Sequence, residues 1–253
     1  MPPDAEPYPE TMNRAAVAEL AAADLAAVIV KGDLTTSAAP EEFAAFDAAY
    51  TSAFGDRLHV VRGNHDAVDG RTGRPGDEWI DLDGVAVALL DTVIPDAASG
   101  TLSASQLDWL DALADASTVP VLVMGHHQQW LGRTRDPGYF GLDPDASDAL
   151  ADGVARRPAI VAYSAGHTHR HRVRAMANGV PSIEVGCVKD FPGTWAEYRV
   201  HDGGILQVVH RLSAPDALRW SESCRVLYSD FGLDYVDYAM GRLEDRCFAI
   251  PLR

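Results

Sequence analysis

The 253-residue sequence is poor in cysteine and contains no long apolar run. Its three cysteines, Cys187, Cys224 and Cys247, are odd in number and widely spaced, so they predict reduced thiols rather than a disulfide framework or a zinc knuckle. No apolar stretch reaches the roughly 18–20 residues that a membrane-spanning helix needs. The proline-rich, acidic start of the chain is unlike a signal peptide, so we expect a cytoplasmic protein without a membrane segment.

Positive charge is also scarce, because 21 lysines and arginines face 37 aspartates and glutamates, for a formal net charge of −16. An acidic surface repels phosphate backbones, which argues against a nucleic-acid-binding protein. A small anionic substrate is still compatible with this charge, since bound divalent cations reverse the sign of the field locally. Hydrophobic residues make up 47% of the chain, a proportion typical of a globular domain with a sizeable core.

Apolar strands alternate with helices along the first part of the chain, and strands dominate the second half. Helices are predicted at 10–24, 40–54, 103–115 and 144–153. Strands are predicted at 26–30, 58–61, 79–82, 85–90, 119–124, 159–163, 173–177, 180–185, 195–200 and 205–210, the last four as antiparallel structure. This order predicts an α/β domain with helices packed outside a sheet core, while residues 214–253 give no clear pattern.

Four predicted strands run into a glycine that is followed by residue types that bind metals. These segments are Gly32-Asp33, Gly63-Asn64-His65-Asp66, Gly125-His126-His127 and Gly166-His167-Thr168-His169. Functional groups in α/β sheets gather beyond the carboxyl ends of the strands, where glycine lets the backbone turn sharply. Carboxylate, amide and imidazole ligands together suit manganese, iron or zinc. Taken alone, the Gly-Asp pair could form a turn, and one histidine of the His126-His127 pair could simply pack in the core. The four segments together predict a metal site.

The order of these segments resembles the calcineurin-like metallophosphoesterases, whose pattern is D-x-H, G-D, G-N-H-[DE], G-H and G-H-x-H. The resemblance covers residues 10–211. Within the family, the stretch from Asp91 to Leu110 is similar to a segment of bacterial class III cyclic nucleotide phosphodiesterases. The resemblance implies a four-layer α/β/β/α sandwich over residues 1–211, with residues 212–253 as a C-terminal extension that packs on this domain.

The resemblance also implies roles for single residues. Asp33 would bridge two metal ions, and His169 would bind the first of them. Asn64, His126 and His167 would complete the site of the second. Members of the family hold two transition metals, drawn from manganese, iron and zinc, next to a small phosphoester substrate.

By the same resemblance, His65 would be the proton donor to the leaving oxygen, or would stabilise charge on the phosphoryl group. The first role suits an imidazole, which titrates near neutrality. The metals would polarise the phosphoryl oxygens and lower the pKa of a bridging water, which then attacks in line. The implied activity is metal-dependent hydrolysis of a phosphoester, with a small or cyclic nucleotide phosphodiester as substrate. A phosphomonoesterase, and a metal-binding protein with weak or no catalysis, stay open as alternatives.

One motif of the family, D-x-H, is not found in this sequence. The strand that carries it would precede residue 10, where four prolines exclude a central strand. Two interpretations are open: the start of the chain is cut short, or the protein works with one metal site. Either way the first site keeps only Asp33 and His169, so we expect about one bound metal and reduced or no turnover. The aromatic residues after position 228 either pack within the chain or form a homodimer contact.

Overall fold

The computed structural model describes residues 8–74, 76–132, 134, 136 and 138–252. Its strands are β1 Val28–Lys31, β2 Leu58–Val61, β3 Glu78–Leu82, β4 Val85–Leu90, β5 Val121–Gly125, β6 Ile160–Ala165, β7 Arg172–Ala175, β8 Pro181–Glu184, β9 Thr194–His201, β10 Gly204–Arg211 and β11 Cys247–Pro251. Its helices are α1 Tyr8–Ala22, α2 Pro40–Phe46, α3 Ser52–Phe54, α4 Ala104–Ala116, α5 Pro144–Arg156, α6 Pro215–Ser223, α7 Tyr235–Met240 and α8 Leu243–Arg246, with a π-helical turn at Asp47–Thr51 joining α2 to α3. The elements predicted between residues 10 and 210 are present, with ends displaced by a few residues.

Helices α4 and α5 begin where the sequence supplies a side-chain cap. The Ser103 hydroxyl accepts a hydrogen bond from the backbone N–H of Gln106 at 3.2 Å, and the Gln106 side chain accepts one from the Ser103 N–H at 2.9 Å. The carboxylate of Asp143 accepts from the N–H of Ala146 at 2.9 Å at the start of α5. Each cap satisfies a backbone donor that has no partner within the helix, so α4 and α5 start at defined residues.

The strands form three sheets. The largest has six strands in the order β3-β4-β5-β6-β8-β7, in which β4, β5, β6 and β8 are parallel and the edge strands β3 and β7 are antiparallel to their neighbours. The other two are a parallel pair, β1-β2, and an antiparallel sheet, β11-β10-β9. The antiparallel pairing predicted for the strands after residue 170 is confirmed for β7 with β8 and for β9 with β10, but it is wrong for the other edge of β8. This strand lies inside the large sheet, between β6 and β7, and it pairs in parallel with β6.

The six-stranded sheet carries a hydrophobic core on each face. Helices α4 and α5 cover one face, where Leu110 and Leu150 pack with Val123 of β5. The opposite face packs against the smaller sheets, with Leu122 of β5 in one cluster with Ile205 of β10. Because successive side chains of a strand point to opposite faces, neighbouring residues of β5 serve different cores. The α/β architecture predicted from the sequence is confirmed.

The two-stranded sheet has its own helical cover. Leu20 of α1, and Phe46 and Tyr50 of the α2–α3 segment, pack on Val28 of β1. The large sheet is therefore followed by the small sheets and then by a second layer of helices.

The C-terminal stretch folds onto the rest of the chain. Helices α6, α7 and α8 lead into β11, which pairs with β10 from Gly204 to Val208. The division of the chain into a domain of residues 1–211 and a C-terminal extension of residues 212–253 stays a prediction. All three cysteines are free, as predicted. Within the described part of the chain, no helix has the length and apolar character needed to cross a membrane.

Candidate metal centre

Four loops meet where strands of two sheets end. Asp33 follows β1 and Asn64 follows β2, while His126 follows β5 and His167 follows β6. Each pair of strands is parallel, so its two loops emerge at the same edge. The segments that the sequence identified are thus brought to one place, although they come from different sheets.

The backbone at this edge adopts unusual conformations. Gly32 has φ of +87°, and a side chain there would lie 2.6 Å from the His126 ring nitrogen Nδ1. Asp33 and His167 also have positive φ, at 53° and 63°. Aspartate and histidine enter this region more often than most residues with a Cβ, and such conformations concentrate at functional sites. The local folding therefore turns these side chains inward at some conformational cost.

The side chains converge on the Nε2 atom of His126. This nitrogen lies 3.2 Å from Asn64 Oδ1, 3.1 Å from His167 Nδ1 and 3.4 Å from Asp33 Oδ1. His126 itself is buried, with 2% of its surface exposed. Four of the predicted metal-binding residues are therefore assembled in one cluster.

Hydrogen bonds on the far side of each ring show which nitrogen carries a proton. His126 Nδ1 lies 2.7 Å from the Lys31 carbonyl oxygen, and His167 Nε2 lies 3.0 Å from that of Phe140. A carbonyl oxygen only accepts, so these two nitrogens carry the protons. Burial, followed by the charge of nearby His126, also lowers the pKa of His167 to about 3 and keeps its ring neutral. The facing nitrogen of His167, Nδ1, therefore presents a lone pair, and Nε2 of His126 presents one when that ring is neutral.

The resulting cluster consists of acceptors. With His126 neutral, two imidazole lone pairs, the amide oxygen of Asn64 and a carboxylate oxygen of Asp33 face one another. Such an arrangement is unfavourable unless positive charge, from a bound cation or from a proton on His126, lies between the acceptors. Mixed nitrogen and oxygen donors suit manganese, iron or zinc, so these residues fit the metals that the sequence predicted.

His127 lies behind this cluster. By distance it could join the cluster, because one ring nitrogen from each of His126, His127 and His167 falls within 4.8 Å of the others. Its Nδ1, however, lies 2.7 Å from the Thr92 hydroxyl, and its carbonyl oxygen accepts a hydrogen bond from Tyr163. Burial and the two neighbouring imidazoles lower the pKa of His127 to about 2. We interpret His127 as a neutral packed ring that supports the two histidines in front of it.

The sequence did not single out Asp66, which holds two of the loops together. This carboxylate is fully buried and accepts hydrogen bonds from the backbone N–H groups of Leu34, Thr35 and Gly63 and from the Thr35 hydroxyl, over 2.7–3.1 Å. Burial raises the pKa of Asp66, and these hydrogen bonds oppose that rise. The sequence signal that could have identified this supporting role is the position of Asp66 within the segment Gly63-Asn64-His65-Asp66.

Lys31 connects the two sheets beneath the cluster. Its ammonium group donates to the Ser164 hydroxyl at 2.9 Å and to the Ala165 carbonyl oxygen at 2.7 Å. Burial lowers the pKa of Lys31 to about 7. The end of β1 is thereby attached to the end of β6, which carries the His167 loop.

His65, predicted as the proton donor, lies at the exposed rim of the cluster. Its backbone N–H donates to Asp33 Oδ1 at 3.1 Å, and its ring Nδ1 donates to the Thr36 carbonyl oxygen at 2.9 Å. These two contacts fix the ring beside Asp33 and leave Nε2 as the nitrogen that can meet an incoming group.

His169 is engaged elsewhere. Its Nδ1 lies 3.0 Å from Asp190 Oδ2, and Cys187 lies close to both residues. Burial alone would lower the pKa of His169, but the neighbouring Cys187 sulfur and Asp190 carboxylate raise it to about 11. The described contacts place His169 in this second group and not in the cluster around His126.

The family to which the chain belongs follows from a comparison with known proteins. A sequence model of the calcineurin-like phosphoesterases matches residues 10–171, which is more than half of the chain. The chain belongs to the calcineurin-like phosphoesterase family. The resemblance inferred from the sequence motifs is confirmed, and the four converging loops all lie within the matched region of the chain.

Two curated relatives of this chain carry the name "probable cyclic nucleotide phosphodiesterase". The protein from Synechococcus sp. is 24% identical over 155 residues, or 56% of this chain and 57% of its own length. The protein from Rhodococcus erythropolis is 29% identical over 167 residues, or 61% of this chain and 54% of its own length. The matched region thus spans little more than half of each relative.

Solved structures share the fold. A dimetal phosphatase from Danio rerio aligns with a TM-score of 0.68 at 13% identity, over 96% of this chain and 89% of that one. The purple acid phosphatase PPD1 from yellow lupin aligns with a TM-score of 0.56 at 12% identity, over 83% of this chain and 48% of that one. At these identities the likeness concerns the fold alone.

Proposed function

We propose that this phosphoesterase hydrolyses a phosphodiester bond of a small or cyclic nucleotide with the help of a bound transition metal. The observation that supports the proposal is the convergence of acceptor atoms from Asp33, Asn64 and His167 on Nε2 of His126. The name shared by the two relatives supports the choice of a cyclic nucleotide. The order of layers, with helices, large sheet, small sheets and helices, supports the four-layer sandwich that the resemblance implies.

Asp33, Asn64, His126 and His167 would hold the metal, which we propose to be manganese, iron or zinc. When bound, such a metal polarises phosphoryl oxygens and lowers the pKa of water. The protein contributes the fixed geometry. Lys31 and Phe140 hold the two imidazoles by their far nitrogens, so both rings are oriented before an ion arrives.

His65 would transfer the proton to the leaving oxygen. Its ring is anchored through Nδ1 to Thr36, so Nε2 is the atom that faces a substrate. The backbone contact with Asp33 keeps this ring next to the proposed metal. A protonated Nε2 could donate to the alkoxide as the ester bond breaks, which is the role for which an imidazole near neutral pH is suited.

The proposal is tested by hydrolysis assays with added manganese. Because the ligands of the D-x-H motif are not found in this sequence, we expect cleavage of bis-p-nitrophenyl phosphate and of 3′,5′-cyclic AMP at a reduced rate, and still slower cleavage of p-nitrophenyl phosphate. His126→Ala should lower this activity by more than about 100-fold, since a direct ligand should matter more than the residues that only orient ligands. His201→Ala is the matched control, because His201 is an exposed residue at the end of β9 and should leave the activity unchanged.

Each other outcome has a definite meaning. Faster cleavage of the monoester would identify a phosphomonoesterase. Metal binding without cleavage of either ester would identify a metal-binding protein with weak or no catalysis. Equal activity in the wild type and in His126→Ala would contradict the proposed site.

A further inference from the structure

A second group of metal-binding residue types lies beside the cluster already described. One donor atom from each of His169, Cys187 and Asp190 lies within 4.8 Å of the other two. Asp190 Oδ2 is 3.0 Å from His169 Nδ1, and Asp190 Oδ1 is 3.0 Å from Cys187 Sγ. The carboxylate therefore lies between the imidazole and the sulfur. Cys187 and Asp190 belong to none of the four motifs.

Asp190 is held rigidly. Only 3% of its surface is exposed, and the hydroxyl of Tyr235 donates to its Oδ1 atom at 2.8 Å. Tyr235, in α7, is itself buried next to Phe191. A carboxylate oriented by a buried tyrosine is typical of the support that metal ligands receive from the groups behind them.

The other two donors approach from different loops. His169 lies in the loop after β6 with φ of 54°, a conformation that a residue with a Cβ seldom adopts. Cys187 lies in the loop after β8. Both residues are only partly buried, so an ion could reach them from solvent.

An ordinary ion pair explains only part of this arrangement. A histidine and an aspartate form a pair without help from a third group, and a cysteine with no special role usually packs among apolar side chains. Here the sulfur contacts a carboxylate and lies near an imidazole. Sulfur, nitrogen and oxygen donors in groups of three occur at zinc sites that keep a fourth position open.

We propose that His169, Cys187 and Asp190 form a cation site of their own, which takes a thiolate-binding divalent metal such as zinc. On binding, the thiol of Cys187 and any imidazolium at His169 lose their protons to solvent, and both become ligands. The site does not depend on the proposed phosphodiesterase activity. This site raises the number of metal ions expected per chain. The sequence offered only Asp33 and His169 as ligands of a first metal, and it therefore predicted about one bound ion. With Cys187 and Asp190 as donors, two ions are expected.

The experiment is a titration of the metal-free full chain with Co²⁺, followed by absorption. A cobalt ion bound by a thiolate gives a charge-transfer band in the near ultraviolet, and nitrogen and oxygen ligands alone do not give it. We expect the band in the wild type, its loss in Cys187→Ser and its retention in Cys247→Ser, the matched control at an exposed cysteine of β11. It should also survive in His126→Ala, because that residue belongs to the other cluster.

Zinc content after equilibrium dialysis provides the second measurement. We expect two ions per wild-type chain, and affinity for one of them at least about 10-fold weaker in Cys187→Ser. Circular dichroism of each variant shows whether it is folded. Absence of the band from the wild type, or its persistence in folded Cys187→Ser, would overturn the proposal and identify Asp190 as a residue that only orients His169. Neither result bears on the hydrolysis assays, so the two proposals fail separately.

Discussion

The six-stranded sheet and the two-stranded sheet each supply two of the four converging side chains, but they are supported differently. Every residue of β4, β5 and β6 is buried, whereas β1 and β2 each bury one residue fully. His126, at the end of β5, is almost completely enclosed, and the Asp33 side chain is 23% exposed. One half of the site therefore rests on hydrophobic packing, and the other half rests on polar contacts.

Those polar contacts are made by Asp66 and Lys31. Asp66 collects donors from the loops after β1 and β2, and Lys31 attaches β1 to the end of β6. A loop with little apolar burial can thus be positioned by hydrogen bonds to a buried charge, which are stronger than bonds between neutral groups. The difference between the sheets leads to four predictions.

The largest effect is expected in the hydrophobic core of the large sheet. Leu122→Ala in β5 should lower the free energy of unfolding by about 2–5 kcal/mol, because a fully buried leucine leaves a cavity. Val60→Ala in β2 should cost only about 1 kcal/mol, because Val60 is half-buried. Urea unfolding followed by circular dichroism measures both. Equal losses would show that the two sheets are equally supported.

Metal binding should give the largest stabilisation to the loops after β1 and β2, which are held by polar contacts rather than by hydrophobic packing. At a manganese concentration of 100 times Kd, mass action predicts about 2.7 kcal/mol of added stability. Hydrogen exchange with mass spectrometry should show the gain in protection in the loops after β1 and β2, and little change in β5, which is already buried. A uniform change over all strands would contradict this distribution.

Asp66→Asn tests the polar support directly. The amide replaces one acceptor oxygen with a donor that faces backbone N–H groups, so we expect a loss of about 1–3 kcal/mol in unfolding free energy. Manganese affinity should fall by about 10–100-fold, because Asp33 and Asn64 lose their common support. Asp83→Asn, in the exposed β3–β4 turn, is the control. A loss of stability with unchanged manganese affinity would show that Asp66 does not position the ligands.

Lys31→Met should have the smallest effect at pH 7, because an apolar side chain of similar length avoids burying a charge. The folded-state pKa of Lys31 is lowered to about 7 by burial, against an ordinary value of 10.5. The associated stability is complete above the ordinary value and is lost as the pH falls through about 7. Between pH 7 and pH 10 the metal-free wild type should therefore gain stability relative to Lys31→Met. Urea midpoints at several pH values measure this, and parallel curves for the two proteins would contradict it.

The sequence was informative where chemistry and local pattern coincide. Asp33, Asn64, His126 and His167 each follow a strand within one to three residues, so the pattern of apolar run, glycine and ligand placed them at one edge. The resemblance assigned His169 to a first metal beside them, and that assignment stays a prediction. The sequence did not reveal that the His169 ring turns toward Asp190, because that contact depends on long-range packing.

The contacts that the sequence missed depend on residues far apart in the chain. Asp190 is oriented by Tyr235, which lies 45 positions later in a segment without clear periodicity. The pairing of β11 with β10 also depends on that segment. The parallel pairing of β8 with β6 was missed because a short strand looks the same in either direction, and only its neighbours decide.

Electron-rich atoms gathered around His126 Nε2 repel one another unless positive charge lies among them. The ammonium group of a lysine could provide that charge permanently. A lysine at position 64 whose side chain reached this point would therefore raise the stability of the folded chain and abolish metal binding. The present side chains are thus suited to binding an ion rather than to stabilising the metal-free chain; they are those at positions 33, 64, 126 and 167. At this site the metal-free chain gives up some folding stability in order to bind an ion.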